Sequence, residues 1–169
     1  MDFLSRTNYE MHREHLRSQR LRLSIFEKSY PEILGKTCRE ILRLPIKRTE
    51  REAAAALKAD VLAHELFFDS FSTPYRSSER VREAYGSEAN FIYQLYRAAE
   101  GADGFLFIQP DRRGTPILKA CHTPLEGYLS AVTPTLAIDL CEHAYFYDYG
   151  FDKASYLKNA LASIDLSRL

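Results

Sequence analysis

With 169 residues, 46% of them hydrophobic, the chain can bury a core of its own; it is neither a disordered segment nor a small scaffold that needs disulfide staples. Its 23 basic residues balance 23 acidic ones, which excludes a nucleic-acid or membrane-surface binder relying on bulk positive charge. No apolar run reaches the roughly 20 residues of a membrane helix, the opening MDFLSRTNYEMHREH lacks the apolar core of a secretory signal, and the unpatterned Cys38, Cys121 and Cys141 read as reduced thiols of a cytoplasmic protein.

The first predicted element is a helix over about 7–30, free of Pro and Gly. His12, Leu16, Gln19, Leu23, Phe26 and Tyr30 step by fours and threes along one face, while Arg13, Glu14, Arg17, Arg22 and Lys28 occupy the others. Pro31, Gly35 and Pro45 mark a connection. A second amphipathic helix runs from Thr49, a candidate N-cap with Glu52 three residues on, to about Phe71. Its stripe is Leu57, Val61, His64, Phe68 and Phe71, and an antiparallel pairing with the first helix is the simplest arrangement. Pro74 and Ser77-Ser78 precede a third helical stretch, about 78–99, with Gly86 inside it.

After Gly101 the texture changes. GFLFIQP, DRRG and TPILKAC read as strand, turn and strand, and 128–138 reads as a third strand. DLCEHAYFYDYG then leads into a final helix at about 153–162. Helices first and a small sheet with helices after it predict an α+β fold.

Three histidines and a carboxylate are the candidate chemistry. His12 and His64 lie on the two apolar stripes, and His143 follows Asp139 by four residues. A histidine on an apolar face is more often a core residue than a ligand. Two helices packed by their stripes, however, bring His12 and His64 to one interface, where a third imidazole and a carboxylate complete a three-nitrogen, one-oxygen site. Such donors suit iron, manganese or zinc and disfavour copper(I). Asp139 and Glu142 also bracket His143, and burying two carboxylates there costs about several kcal/mol unless a cation offsets it.

These segments carry a resemblance. DLCEHAYFYDY (139–149) resembles the D-x-W-E-H-A-Y-Y signature of the iron/manganese superoxide dismutases, and AHELFFDSF (63–71) looks like their N-H-T-F-Y-W-N-S helix. YEMHREH (9–15), YGS (85–87) and HTPL (122–125) are similar to further family segments in the same order. The resemblance implies one iron or manganese per chain, held by His12, His64, Asp139 and His143. It implies a helical hairpin over 1–73 and an α/β domain over 74–169 with a three-stranded antiparallel sheet, the metal lying between them. It implies superoxide as substrate and a homodimer in which Glu142 reaches the partner's ligand histidine, the counterpart of His143.

The surroundings depart from the family. Its gateway tyrosine falls on Arg20, its nearby histidine on Leu16 with His15 adjacent, and the tyrosine meeting that histidine across the dimer on Phe146. Its tryptophans fall on Phe68, Phe105 and Cys141. The glutamine that bonds the metal-bound solvent is missing from both of its usual places, which hold Asp60 and the Cys121-His122 pair. Asp60 or His122 is then expected to tune that solvent and move protons, Arg20 to line the approach, and Cys141 to place a thiol near the metal. The alternatives are a related redox enzyme with altered surroundings on the same metal, and a non-catalytic interaction module that keeps the fold.

Overall fold

A computed structural model describes residues 1–72, 74–130 and 132–169. Helix α1 (Arg6–Ser29) starts at Ser5, whose hydroxyl accepts the Asn8 N–H. Only its first half is deeply buried, through Asn8, His12 and Leu16; Gln19, Leu23, Phe26 and Tyr30 are half-buried. The short helix α2 (Cys38–Ile41) opens on a Thr37–Glu40 capping box. Helix α3 (Arg48–Asp69) is the central pillar and packs against α1, α2 and the later elements α6 and β3. It therefore buries more than one stripe: Ala54, Ala55, Ala59, Ala63 and Phe67 are as enclosed as Leu57, Val61 and His64.

The α1–α3 pairing is antiparallel. The His12 ring lies against Phe67 and Phe68 near the end of α3, while Phe26 packs on the small cluster that includes Ala54, Ala55 and Ala59 near its start. Helix α3 begins one residue before Thr49, with Lys47 at the N-cap and no side-chain bond there, so the expected Thr49 cap lies inside the first turn.

The stretch expected as one helix over 78–99 is two, α4 (Glu79–Tyr85) and α5 (Glu88–Glu100). Gly86 takes φ +77, which ends the first helix, and the Ser87 hydroxyl accepts the Asn90 N–H to start the second. Strands β1 (Phe105–Pro110), β2 (Pro116–Cys121) and β3 (Leu136–Asp139) form an antiparallel sheet in the order β2-β1-β3. Phe105 faces both Cys121 and Asp139.

The third strand is shorter than expected. Thr123, Glu126 and Pro124 start helix α6 (Pro124–Tyr128) instead, and regular pairing begins only after Pro134, which has no N–H to give to a ladder. Residue 131 of that expectation, and residue 73 at the expected domain boundary, lie outside the described residues. Helices α7 (Glu142–Tyr149) and α8 (Lys153–Leu161) complete the α+β architecture. The main core lies between the sheet, α3, α5, α7 and α8, and a smaller one lies under α2.

Gly104 holds the sheet to the turn before α7. Its carbonyl accepts the Leu140 N–H at 2.8 Å, and its φ is +86. A Cβ there would run into the carbonyl oxygens of Cys121 and His122. Gly104→Ala is expected to destabilise the fold by about 3 kcal/mol, from backbone strain and overpacking together. A lowered thermal midpoint in circular dichroism checks this.

Candidate metal centre

Each donor is delivered by a separately anchored element. Asp139 ends β3; the fully buried Tyr156 hydroxyl donates to its carbonyl at 2.7 Å. Its Oδ1 accepts the Cys141 N–H at 2.9 Å, which shapes the turn into α7 and brings His143 back toward the carboxylate one helical turn on. Helix α1 is tied to α7 by the buried Asn8, whose Nδ2 donates to the Ala144 carbonyl and to Asp148, both at 3.1 Å. His12, one turn after Asn8, thus faces His143. His64 comes from the C-terminal third of α3, edge-on to Phe105 at 5.3 Å.

The four side chains converge. Asp139 Oδ2 lies 3.2 Å from His12 Nε2, 3.4 Å from His64 Nε2 and 3.0 Å from His143 Nε2. His64 Nε2 and His143 Nε2 are 3.3 Å apart, and all four donor atoms fall within 4.8 Å of one another. Donors bonded at about 2.1 Å to one ion sit roughly 3.0–3.6 Å from each other, so the spacing suits a single metal. His12, His64 and Asp139 are buried, whereas the His143 side chain is 40% exposed.

Hydrogen bonding points the same way. His12 Nε2 and Asp139 Oδ2 are buried and face each other, yet neither has an aligned hydrogen-bond partner among the described residues. Orphaned buried polar atoms of this kind are costly unless something else satisfies them. His64 Nδ1 lies 2.8 Å from the Asp60 carbonyl oxygen, which can only accept. Nδ1 therefore carries the proton and Nε2 turns its lone pair to the cluster. Burial also lowers the His64 pKa, with the Asp139 charge opposing, which favours the neutral ring a metal needs. Burial would raise the Asp139 carboxyl, but His12 and His143 outweigh it and hold the group well below the usual carboxylate range.

The cage has an apolar inner wall. Phe67 and Phe68 lie 4.8 and 5.1 Å from the His12 ring, and Arg13 covers the outer face of Phe68 at 5.0 Å. Cys141 turns its Sγ to the Gly104 carbonyl at 3.6 Å, and burial beside Asp139 pushes the thiol up.

The other expected residues are placed differently. Arg20 reaches across to α3, where its Nε and Nη2 donate to Glu65 at 2.9 and 2.8 Å, so its charge is paired. His122 is not brought to the cluster. Cys121 turns inward at the end of β2, the next side chain therefore points out, and His122 is 82% exposed and paired with Asp103 at 2.7 Å. Glu142 is exposed at the start of α7, so only one of the two bracketing carboxylates is buried. Asp60 sits behind His64: its carboxylate lies 3.5 Å from Nδ1, the side facing away from the cluster.

Two anchors, Asn8 and Tyr156, escape sequence reasoning because their partners are more than 15 residues away. His15 was detectable, standing one turn after His12 on the same helix; its ring stacks on His143 at 4.8 Å.

Residues 73–169 match the sequence profile of the iron/manganese superoxide dismutases, C-terminal domain. A manganese superoxide dismutase of Halobacterium salinarum is 29% identical over 111 residues, 62% of this chain and 56% of the relative. A second manganese enzyme of that organism is 32% identical over 93 residues, covering 52% of this chain and 44% of the relative. An iron superoxide dismutase of Cupriavidus metallidurans is 27% identical over 127 residues, 70% of this chain and 64% of the relative. With more than half of its length matched by that profile, the chain belongs to the iron/manganese superoxide dismutase family. It spans roughly half to two thirds of the curated relatives it matches.

Asn8 bears most directly on the approach of α1 to α7. Asn8→Ala removes two bonds at a buried site and leaves the Ala144 carbonyl without that donor. A loss of about 1–3 kcal/mol is expected, read as a lower urea midpoint with an unchanged slope.

Proposed function

We propose that the chain is a superoxide dismutase that holds one iron or manganese ion through His12, His64, Asp139 and His143. The observation that carries this reading is the convergence of three imidazole nitrogens and one carboxylate oxygen, two of them buried without hydrogen-bond partners among the described residues. The hairpin over 1–73 contributes His12 and His64, and the α/β unit over 74–169 contributes Asp139 and His143. A bound iron or manganese ion would supply one-electron chemistry between its +3 and +2 states. The net reaction takes one electron from a first superoxide, releasing dioxygen, and gives it with two protons to a second, forming hydrogen peroxide.

The chain's own residues do the positioning. Asp139 supplies the negative charge that offsets a multivalent cation in an otherwise apolar enclosure. The Asp60 carbonyl fixes the tautomer of His64, and Phe67, Phe68 and Phe105 exclude water from the inner side. His143 is the exposed donor, with His15 stacked on its ring, so this is the open side of the cluster in a single chain.

That same side supports a homodimer through Glu142 and His143. Phe146 and Tyr147 are exposed on α7, and Phe151 just beyond it is 91% exposed, an unusual density of apolar surface beside a buried site. Three free cysteines suit a reducing cytoplasm, and among the described residues no helix is long and apolar enough to cross a membrane.

Protein expressed with both metals available should contain close to one iron or manganese per chain by elemental analysis and should quench a xanthine oxidase superoxide flux. Asp139→Asn keeps the acceptor for the Cys141 N–H but replaces the anionic donor. It should weaken metal binding beyond the roughly 10–100-fold typical of losing an outer-shell partner, with the circular dichroism spectrum retained. An empty or zinc-filled site would overturn the dismutase reading and favour the non-catalytic module. A filled site with poor quenching would favour the related redox enzyme. Sedimentation is expected to give twice the 19.5 kDa mass of one chain, and Glu142→Ala to shift it toward the monomer.

A further inference from the structure

Outside the four-donor cluster lies a second polar group, built from His15 on α1 and Asp60 on α3. Asp60 meets His64 at Nδ1, the side away from the cluster, and His15 touches the rings of His64 and His143. The Asp60 carbonyl holds the proton on His64 Nδ1 at 2.8 Å, and carboxylate Oδ1 stands 3.5 Å from the same nitrogen. The other carboxylate oxygen, Oδ2, is 3.8 Å from His15 Nε2. His15 is itself fixed: its ring stacks on His143 at 4.8 Å with an interplanar angle of 27°, and it lies 4.8 Å from the His64 ring. Gln19 presents Nε2 to His15 Nε2 at 3.3 Å, and its orientation is set by Arg22, which donates to the Gln19 carbonyl at 2.9 Å.

His15, Asp60 and His64 also have donor atoms within 4.8 Å of one another. A cation among them would need the lone pair of His64 Nδ1. The proton on that atom is committed to the Asp60 carbonyl, so the trio is a polar string from the surface to a ligand rather than a second metal site.

We infer that Asp60 and His15 are a positioning pair that acts on the metal through the outer nitrogen of His64 and sets its redox potential. The inference rests on the reading of the cluster as an iron or manganese site. An anionic carboxylate beside the outer N–H of a ligand imidazole makes that imidazole a stronger electron donor. Its charge also stabilises the more oxidised ion. The two effects share a sign, and both lower the potential. The half-exposed carboxylate lies between the two rings, 3.5 Å from His64 Nδ1 and 3.8 Å from His15 Nε2. This differs from the role expected of Asp60 in the sequence, where it faced metal-bound solvent.

The test is a mediated redox titration of the iron-loaded protein, followed optically, with iron content measured alongside. Asp60→Asn retains the backbone carbonyl and nearly the same shape, so iron should stay near one per chain while the midpoint potential moves positive. His15→Ala should move it in the same direction by less, and His15→Gln, which keeps a polar side chain beside the Asp60 carboxylate, should restore much of the wild-type value. Iron-loaded Asp60→Asn with the wild-type potential overturns the inference and leaves the dismutase reading intact. If Asp60→Asn does not hold iron, the His15 pair decides: unequal potentials support the inference, and equal ones overturn it. Wild-type protein that takes up neither iron nor manganese overturns the site reading, and this inference with it.

Discussion

The buried Asp139 carboxylate is the interaction on which the rest of the structure turns. It sits at the end of β3 with no exposed side-chain surface, among three imidazoles. Removing an ion from water costs several kcal/mol after relaxation, and His12 and His143 oppose that cost and hold the carboxyl well below the usual carboxylate range. A chain selected for stability alone would place an apolar side chain here, as Leu136, Ala137 and Ile138 do along the same strand. The carboxylate is held in place by anchors that do not touch it: Tyr156 on the Asp139 backbone carbonyl, Asn8 between α1 and α7, and Gly104 under the turn. They let four donors from four elements meet without depending on one another for support.

The helices were legible because their apolar stripes keep a helical period. Helix α1 was expected over about 7–30 and runs Arg6–Ser29; α3 was expected from Thr49 to about Phe71 and runs Arg48–Asp69. What periodicity missed was decided by single backbone positions. Gly86 lies inside an apparently continuous helix, but its positive φ breaks the element in two. The apolar run over 128–138 reads as strand by composition, yet the capping box at Thr123 and the missing N–H of Pro134 leave only Leu136–Asp139 in the ladder. The extra burial of α3 has its own signal: Ala55, Ala59, Ala63 and Phe67 step by four along a second face, and α2 and α6 pack against the helix as well.

At the site, the four converging residues were legible as a set, since donors on two helical stripes and at i, i+4 across a strand end have few places to go. Their neighbours were not, because each owes its role to a partner distant in sequence. Arg20 looks like a free charge on α1 until α3 brings Glu65 alongside. His122 looks well placed in its segment until strand alternation turns it outward to Asp103. His15 looks like one more polar residue on α1, and only the helix pairing lays it over His143 and near Asp60.

These placements change what can govern the chemistry. With Arg20 neutralised by Glu65 and the whole chain carrying no formal net charge, long-range attraction contributes little to drawing in an anion. The inner wall is aromatic and offers no hydrogen bond. The remaining polar influence lies on the exposed side, in His143, His15 and Asp60, and reaches the donors through the outer nitrogen of His64. A site whose inner donors are arranged for a metal, while its outer hydrogen bonds are rebuilt, can vary its redox poise without losing its ion. On the proposed reading, binding depends on four donor atoms that lie within 4.8 Å of one another, whereas the potential responds to the charges around those donors.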